Sequence, residues 1–63
     1  MSQDLEIKVI VQHHTDRAIL VDVGRTDAVW IPRSQISDFS GPDLEHADSI
    51  FISQWLATQK GIL

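Results

Sequence analysis

The sequence predicts a mainly β domain, a small and strongly bent antiparallel sheet closed by a short C-terminal helix. Three observations carry this. Leu5 to Val11 alternates apolar and polar residues with the two-residue period of a strand. Arg17 to Val23 and Ala28 to Ile31 are rich in β-branched and other apolar residues, and Gly24-Arg25-Thr26-Asp27 between them has the composition of a tight turn. Ser53 to Gly61 carries a capping serine, a run of helix formers and a closing glycine.

The chain has 63 residues, no cysteine and 43% hydrophobic content. That is one domain, too apolar for disorder, with no disulfide or thiolate metal site to staple it. A core of this size supplies roughly 3–5 kcal/mol, so a homodimer that shares its core is a second route to stability. The net charge is −4 and the pI about 5.0. This sign opposes bulk attraction to a phosphate backbone and favours a basic protein surface.

The longest apolar run, Ala18 to Val21, is far shorter than a membrane span, so no membrane contact is expected. Met1-Ser-Gln-Asp-Leu lacks the basic-then-apolar pattern of a secretory signal, which leaves the cytoplasm as the expected location.

In the first strand Leu5, Ile7, Val9 and Val11 share one face, and Glu6, Lys8 and Gln12 the other. Ile10 breaks the pattern, as expected if the outer face is partly covered. His13 to Asp16 reads as a turn. In the second strand Ile19, Val21 and Val23 oppose Ala18, Leu20 and Asp22. The third strand is apolar on both sides, Val29 against Trp30, which suits a curled sheet.

Pro32 has no N–H for the ladder and ends that strand; Pro32-Arg33-Ser34-Gln35 then makes one turn that returns Ile36 to the core. Asp38 to Asp48 contains Ser40-Gly41-Pro42, four acids and no Lys or Arg, and reads as the loop of the molecule. Ser49 to Ser53 is a further strand, with Ile50 and Ile52 opposite Phe51.

Gln54 to Lys60 is too short for an independent helix, so Leu56, with Trp55 or Gln59, must dock on the sheet. Gly61 can close the helix in the left-handed conformation and let Ile62 fold back. The expected core is Val9, Ile19, Val21, Trp30, Ile36, Ile52 and Leu56. The order of elements suits an SH3-like or OB-like partial barrel of four to five strands with a short C-terminal helix, an architecture that carries no function by itself.

Two segments, Val29-Trp30-Ile31-Pro32-Arg33-Ser34-Gln35-Ile36 and Ile52-Ser53-Gln54-Trp55-Leu56-Ala57-Thr58-Gln59-Lys60-Gly61-Ile62, resemble short proteins of phages and other mobile elements. Those proteins carry an Ala-Leu-Leu-Val strand, a Val-Trp-[Ile/Leu]-Pro-[Lys/Arg]-Ser-Gln turn and a [Pro]-x-Trp-Leu-Ala-x-x-Lys-Gly-Leu closing helix. Ser53 stands where that pattern has proline. No activity or catalytic residue comes with the resemblance. It implies a phage or prophage accessory protein acting in a bacterial cell.

The candidate chemistry is sparse. His13 and His14 are neighbours that a strand would point to opposite faces, so they are poorly placed for one metal. Ser34, Ser37, Ser40, Ser49 and Ser53 lack the spacing of an activated nucleophile, and there is no phosphate-binding glycine loop. A non-enzymatic protein with no cofactor and no metal is therefore expected.

Lys8, Arg17, Arg25 and Arg33, with Trp30 nearby, are the candidate nucleic-acid surface, which requires Trp30 to be spared from the core. The acidic residues Asp38, Asp43, Glu45 and Asp48 are the candidate partner-binding surface, weighed against a solvated loop. A phage protein that occupies the nucleic-acid channel of a host protein needs this charge sign. The leading expectation is an inhibitor of a host nucleic-acid machine, of the anti-restriction or anti-CRISPR type. The alternative is a small nucleic-acid-binding factor of phage replication or recombination.

Overall fold

The computed structural model describes residues 4–24 and 27–62. Six strands form two three-stranded antiparallel sheets, followed by one short helix. The strands are β1 (Asp4–Lys8), β2 (Ile10–His14), β3 (Ala18–Asp22), β4 (Val29–Pro32), β5 (Ile36–Ser40) and β6 (Ser49–Ser53); the helix α1 is Gln54–Gln59. One sheet has the order β1-β6-β5 and the other β2-β3-β4. The fold is the mainly β, bent-sheet type expected, and the two sheets do not close into a continuous barrel.

The strand expected from Leu5 to Val11 is divided at Val9. β1 pairs with β6, β2 pairs with β3, and Val9 between them is buried. The Val9 N–H, freed from both ladders, donates to the carbonyl of Asp48 at 3.1 Å. The break in alternation at Ile10 is thus the point where the chain leaves one sheet for the other. Unpaired backbone groups are costly when buried, so the corner needs the Asp48 carbonyl.

Pro32 ends β4 as expected, and Arg33–Gln35 forms a single 3-10 turn that leads into β5. Asp38, Phe39 and Ser40 belong to β5, paired to β6 around a bulge between Ile36 and Asp38, and so are strand rather than loop. A second 3-10 turn, Leu44–His46, fills part of the remaining connection. His13 and His14 likewise lie within β2, not in a turn. Local composition marks these residues as turn formers, but pairing with β6 and β3 overrides that preference.

The core is aliphatic. Ile19, Val21, Ile31, Ile50 and Ile52 are fully buried, joined by Val9, Ala47, Leu56, Ala57 and Ile62. Ile36 is half-buried against this cluster. Trp30, expected inside, is 44% exposed. The β3–β4 register explains it: Ile19 faces Ile31 and Val21 faces Val29 on the inner side, so Leu20 and Trp30 share the outer side. None of the four aromatic residues is fully buried.

Helix α1 docks through Leu56 and Ala57, while Trp55 is 65% exposed. Ser53 Oγ accepts a hydrogen bond from the Leu56 N–H at 3.1 Å, the N-cap expected from the sequence. At the other end Gly61 has φ of 74°, its N–H donates to the Thr58 carbonyl, and the Ile62 N–H donates to the Ala57 carbonyl. These two bonds form a Schellman closure that turns Ile62 into the core. Ser53→Ala should lower stability by about 1 kcal/mol through loss of the cap, read as a lower urea midpoint at unchanged slope.

Candidate functional site

The outer face of the β1-β6-β5 sheet is polar and acidic. The register places Glu6, Phe51 and Asp38 in one row, flanked by Asp4 opposite Ser53 and Lys8 opposite Ser49. Serines fix two of these carboxylates. Ser49 is almost wholly buried and its Oγ donates to Glu6 Oε2 at 2.8 Å. Ser37 Oγ is hydrogen bonded to Asp4 and lies 3.2 Å from the carbonyl oxygen of Phe51. Asp38 accepts from the Phe39 N–H at 2.8 Å. Asp4 and Glu6 therefore stand with Asp38. Sequence reasoning placed Glu6 outward but had no means of pairing β1 with a strand more than 40 residues later.

The remaining acids are more engaged than a solvated loop implies. Asp43 caps the second 3-10 turn: its Oδ1 accepts from the His46 N–H at 2.9 Å and lies 2.7 Å from His46 Nδ1. The hydrogen bond from the His46 side chain is the main cause holding the Asp43 carboxyl below its ordinary value. Glu45 Oε1 accepts from Arg33 Nη2 at 3.1 Å. The hydrogen bond from its own backbone N–H, then that from Arg33, hold Glu45 below its ordinary value. Asp48 is anchored by its backbone, with its N–H donating to the Ser40 carbonyl and its carbonyl accepting from Val9, while its side chain is exposed.

Both carboxyl pKa values are lowered, so their contribution to stability is complete above the ordinary values of 3.8 and 4.5 and is lost as pH falls through the lowered ones. The urea midpoint should therefore fall on acidification below the ordinary carboxylate range. Asp43→Asn with Glu45→Gln should flatten that dependence; an equally steep one in the double variant would place the relevant protons elsewhere.

The basic residues do not assemble as one surface. Arg33 is a brace. Its Nε donates to the Thr15 carbonyl at 2.8 Å, its Nη2 to Glu45, and its backbone N–H to the Arg17 carbonyl at 2.8 Å. It thus ties the β2–β3 turn to the acidic connection. Arg17 lies with Asp16, Pro32, Arg33 and Ser34 around one shallow depression. Lys8 lines a different one with Val9, Ile10, Asp22, Val23 and Gly24. Arg25 lies outside the described residues.

His13 pairs across to Leu20 and His14 to Ile19, so their side chains take opposite faces, and His46 is held by Asp43. Among the described residues no three His, Cys, Asp or Glu side chains come together as a metal site, and no helix is long and apolar enough to cross a membrane.

Large apolar side chains at the surface are the feature that sequence reasoning least anticipated. Ile10, Trp30, Phe39 and Trp55 are all exposed. The apolar outer character of Ile10 was legible, whereas the exposure of both tryptophans was not. Comparison of the chain with family models, with curated proteins and with solved structures gives no match.

Proposed function

We propose that the protein is a non-enzymatic binding domain of phage or prophage type that acts by contact with a basic protein surface. The observation that carries this reading is the acidic outer face of the β1-β6-β5 sheet, where Glu6 and Asp38 flank the half-buried Phe51 in one row, with Asp4 in the row on one side and Lys8 in the row on the other. Acids outnumber Lys and Arg nine to five in the chain, and one of those arginines, Arg33, is turned inward onto Glu45 and Thr15. An aromatic side chain flanked by two carboxylates suits an arginine-bearing partner, since the guanidinium can stack on the ring while the carboxylates accept its hydrogen bonds.

Within this reading the recognition set is Asp38 and Asp48, extended by Asp4 and Glu6. Asp43 and Glu45 contribute charge but are tied to His46 and Arg33. The target class is a protein that itself handles nucleic acid, whose basic channel an acidic domain fills by occupying the place of phosphates. Inhibition of the anti-restriction or anti-CRISPR type is one form of this.

The test is association kinetics with such a basic protein across a salt series. Asp38→Asn with Asp48→Asn should leave the fold intact, because exposed charges contribute little to stability. The same change should slow association and flatten its salt dependence. Direct binding of single-stranded DNA that is lost on replacing Lys8 and Arg17 would support the nucleic-acid reading instead.

A further inference from the structure

The two sheets have four edge strands, β1 and β5 in one, β2 and β4 in the other. Bulges interrupt β5 between Ile36 and Asp38 and β2 between Val11 and His13, and β4 ends in Pro32. Bulges and proline keep a further strand from pairing with an edge. β1 has neither. It pairs with β6 in unbroken register, and among the described residues no strand pairs with its other side.

One hydrogen bond fixes the phase of this free edge. The Val9 N–H donates to the Asp48 carbonyl on the β6 side, so the Lys8 carbonyl of the same trans peptide group points the opposite way. Backbone groups alternate sides along a strand. Asp4, Glu6 and Lys8 therefore turn their N–H and C=O groups to the open edge, and Leu5 and Ile7 turn theirs to β6. Side chains alternate between the two faces. Asp4, Glu6 and Lys8 are exposed on the outer face, while Leu5 and Ile7 are half-buried against the core on the inner one. Ser37 and Ser49 are hydrogen bonded to Asp4 and Glu6 and hold both carboxylates on the outer face.

We propose that β1 accepts an added antiparallel strand from a partner protein, an extended segment in which basic and apolar residues alternate. Basic residues opposite Asp4 and Glu6 form cross-strand ion pairs, and the apolar residues between them cover what Leu5 and Ile7 leave exposed. Antiparallel pairing continues that of the sheet it joins. Lys8 shares a depression with Asp22, so the residue opposite Lys8 needs no charge. A second copy of β1 would bring two carboxylates with its one lysine, so charge selects a foreign strand. The inference rests on the basic partner proposed above and adds that the partner is held by its backbone as well as its charge.

The probe is the peptide Thr-Val-Arg-Val-Arg, capped at both ends and titrated into the protein by NMR. A strand this short should bind with a Kd of about 0.1–1 mM. At saturation the amide exchange of Glu6 and Lys8 should slow at least about tenfold, while Leu5 and Ile7, already bonded to β6, change little. Methylating the two arginine backbone nitrogens, which face β1, should weaken binding at least about tenfold, whereas methylating the two valine nitrogens, which face away, should not.

Lys8→Pro removes an edge N–H that β6 does not use. It should weaken binding even though it makes the chain more acidic; tighter binding would overturn the proposal. If this variant fails to fold, the methylated peptides decide the matter on the wild type. Binding indifferent to where the methyl groups sit overturns strand addition and leaves the basic-partner reading standing. Absence of binding at low salt also overturns strand addition, whereas the basic-partner reading falls only with the association experiment above.

Discussion

Ile52→Ala is expected to cost about 2–5 kcal/mol, enough to unfold much of the population at room temperature, because a domain of this size holds only roughly 3–5 kcal/mol in all. Ile52 is fully buried at the centre of the β1-β6-β5 sheet, opposite Leu5 on one side and Ile36 on the other. It therefore serves both edge strands of its sheet at once. Truncation leaves a cavity between two sheets whose inward side chains are mostly β-branched and have few alternative rotamers with which to fill it. Urea titration followed by circular dichroism reads the loss directly. A variant that keeps the wild-type midpoint would show that the packing between the sheets is not what holds the chain together.

Gly41→Ala is expected to cost about 2–4 kcal/mol, from backbone strain and overpacking together. Gly41 has φ of 135°, a conformation that side chains rarely adopt. A Cβ placed there would lie 2.9 Å from the carbonyl oxygen of His46 and 3.0 Å from Ala47 Cα. Both are backbone atoms, so neither can swing aside as a flexible side chain would. They also belong to the segment that positions Asp48, whose carbonyl holds the corner at Val9. Gly61→Ala is the control. Its φ is also positive, but nothing lies within 4 Å of the added carbon, so only the left-handed conformation is penalised, by about 1 kcal/mol. Equal effects at the two glycines would contradict the close approach at Gly41.

What was legible in the sequence is what local chemistry decides. Pro32 stops β4, Ser53 caps α1, and Gly61 with Ile62 closes it, because each rests on atoms within five residues. The inward set Ile19, Val21, Ile50 and Ile52 followed from the two-residue period. The division at Val9 did not, since it depends on β1 choosing β6 at the far end of the chain. Trp30 was misplaced because β4 is apolar on both faces, and only the register against β3 says which face is inner. With both tryptophans exposed, the core is closed by aliphatic side chains, most of them branched.

The candidate site was legible only in part. The acidic run was visible as composition, but the pairing of Glu45 with Arg33 and of Asp43 with His46 divides it into engaged and outward carboxylates. Arg33 looked like a surface cation in the sequence and is a brace in the fold. Asp4 and Glu6 join Asp38 only once β6 lies between β1 and β5. Side chains brought together by strand pairing carry no local signal, which is why sequence reasoning found the sign of the surface and not its centre.

The most direct test of the binding account is capture from a nuclease-treated bacterial lysate on the immobilised 63-residue chain, run beside the Asp38→Asn, Asp48→Asn variant over a salt series. The account predicts a basic protein that the wild type retains at low salt and releases at high salt, that survives nuclease treatment, and that the variant retains far less. Equal retention by the variant, or retention that nuclease abolishes, would contradict it.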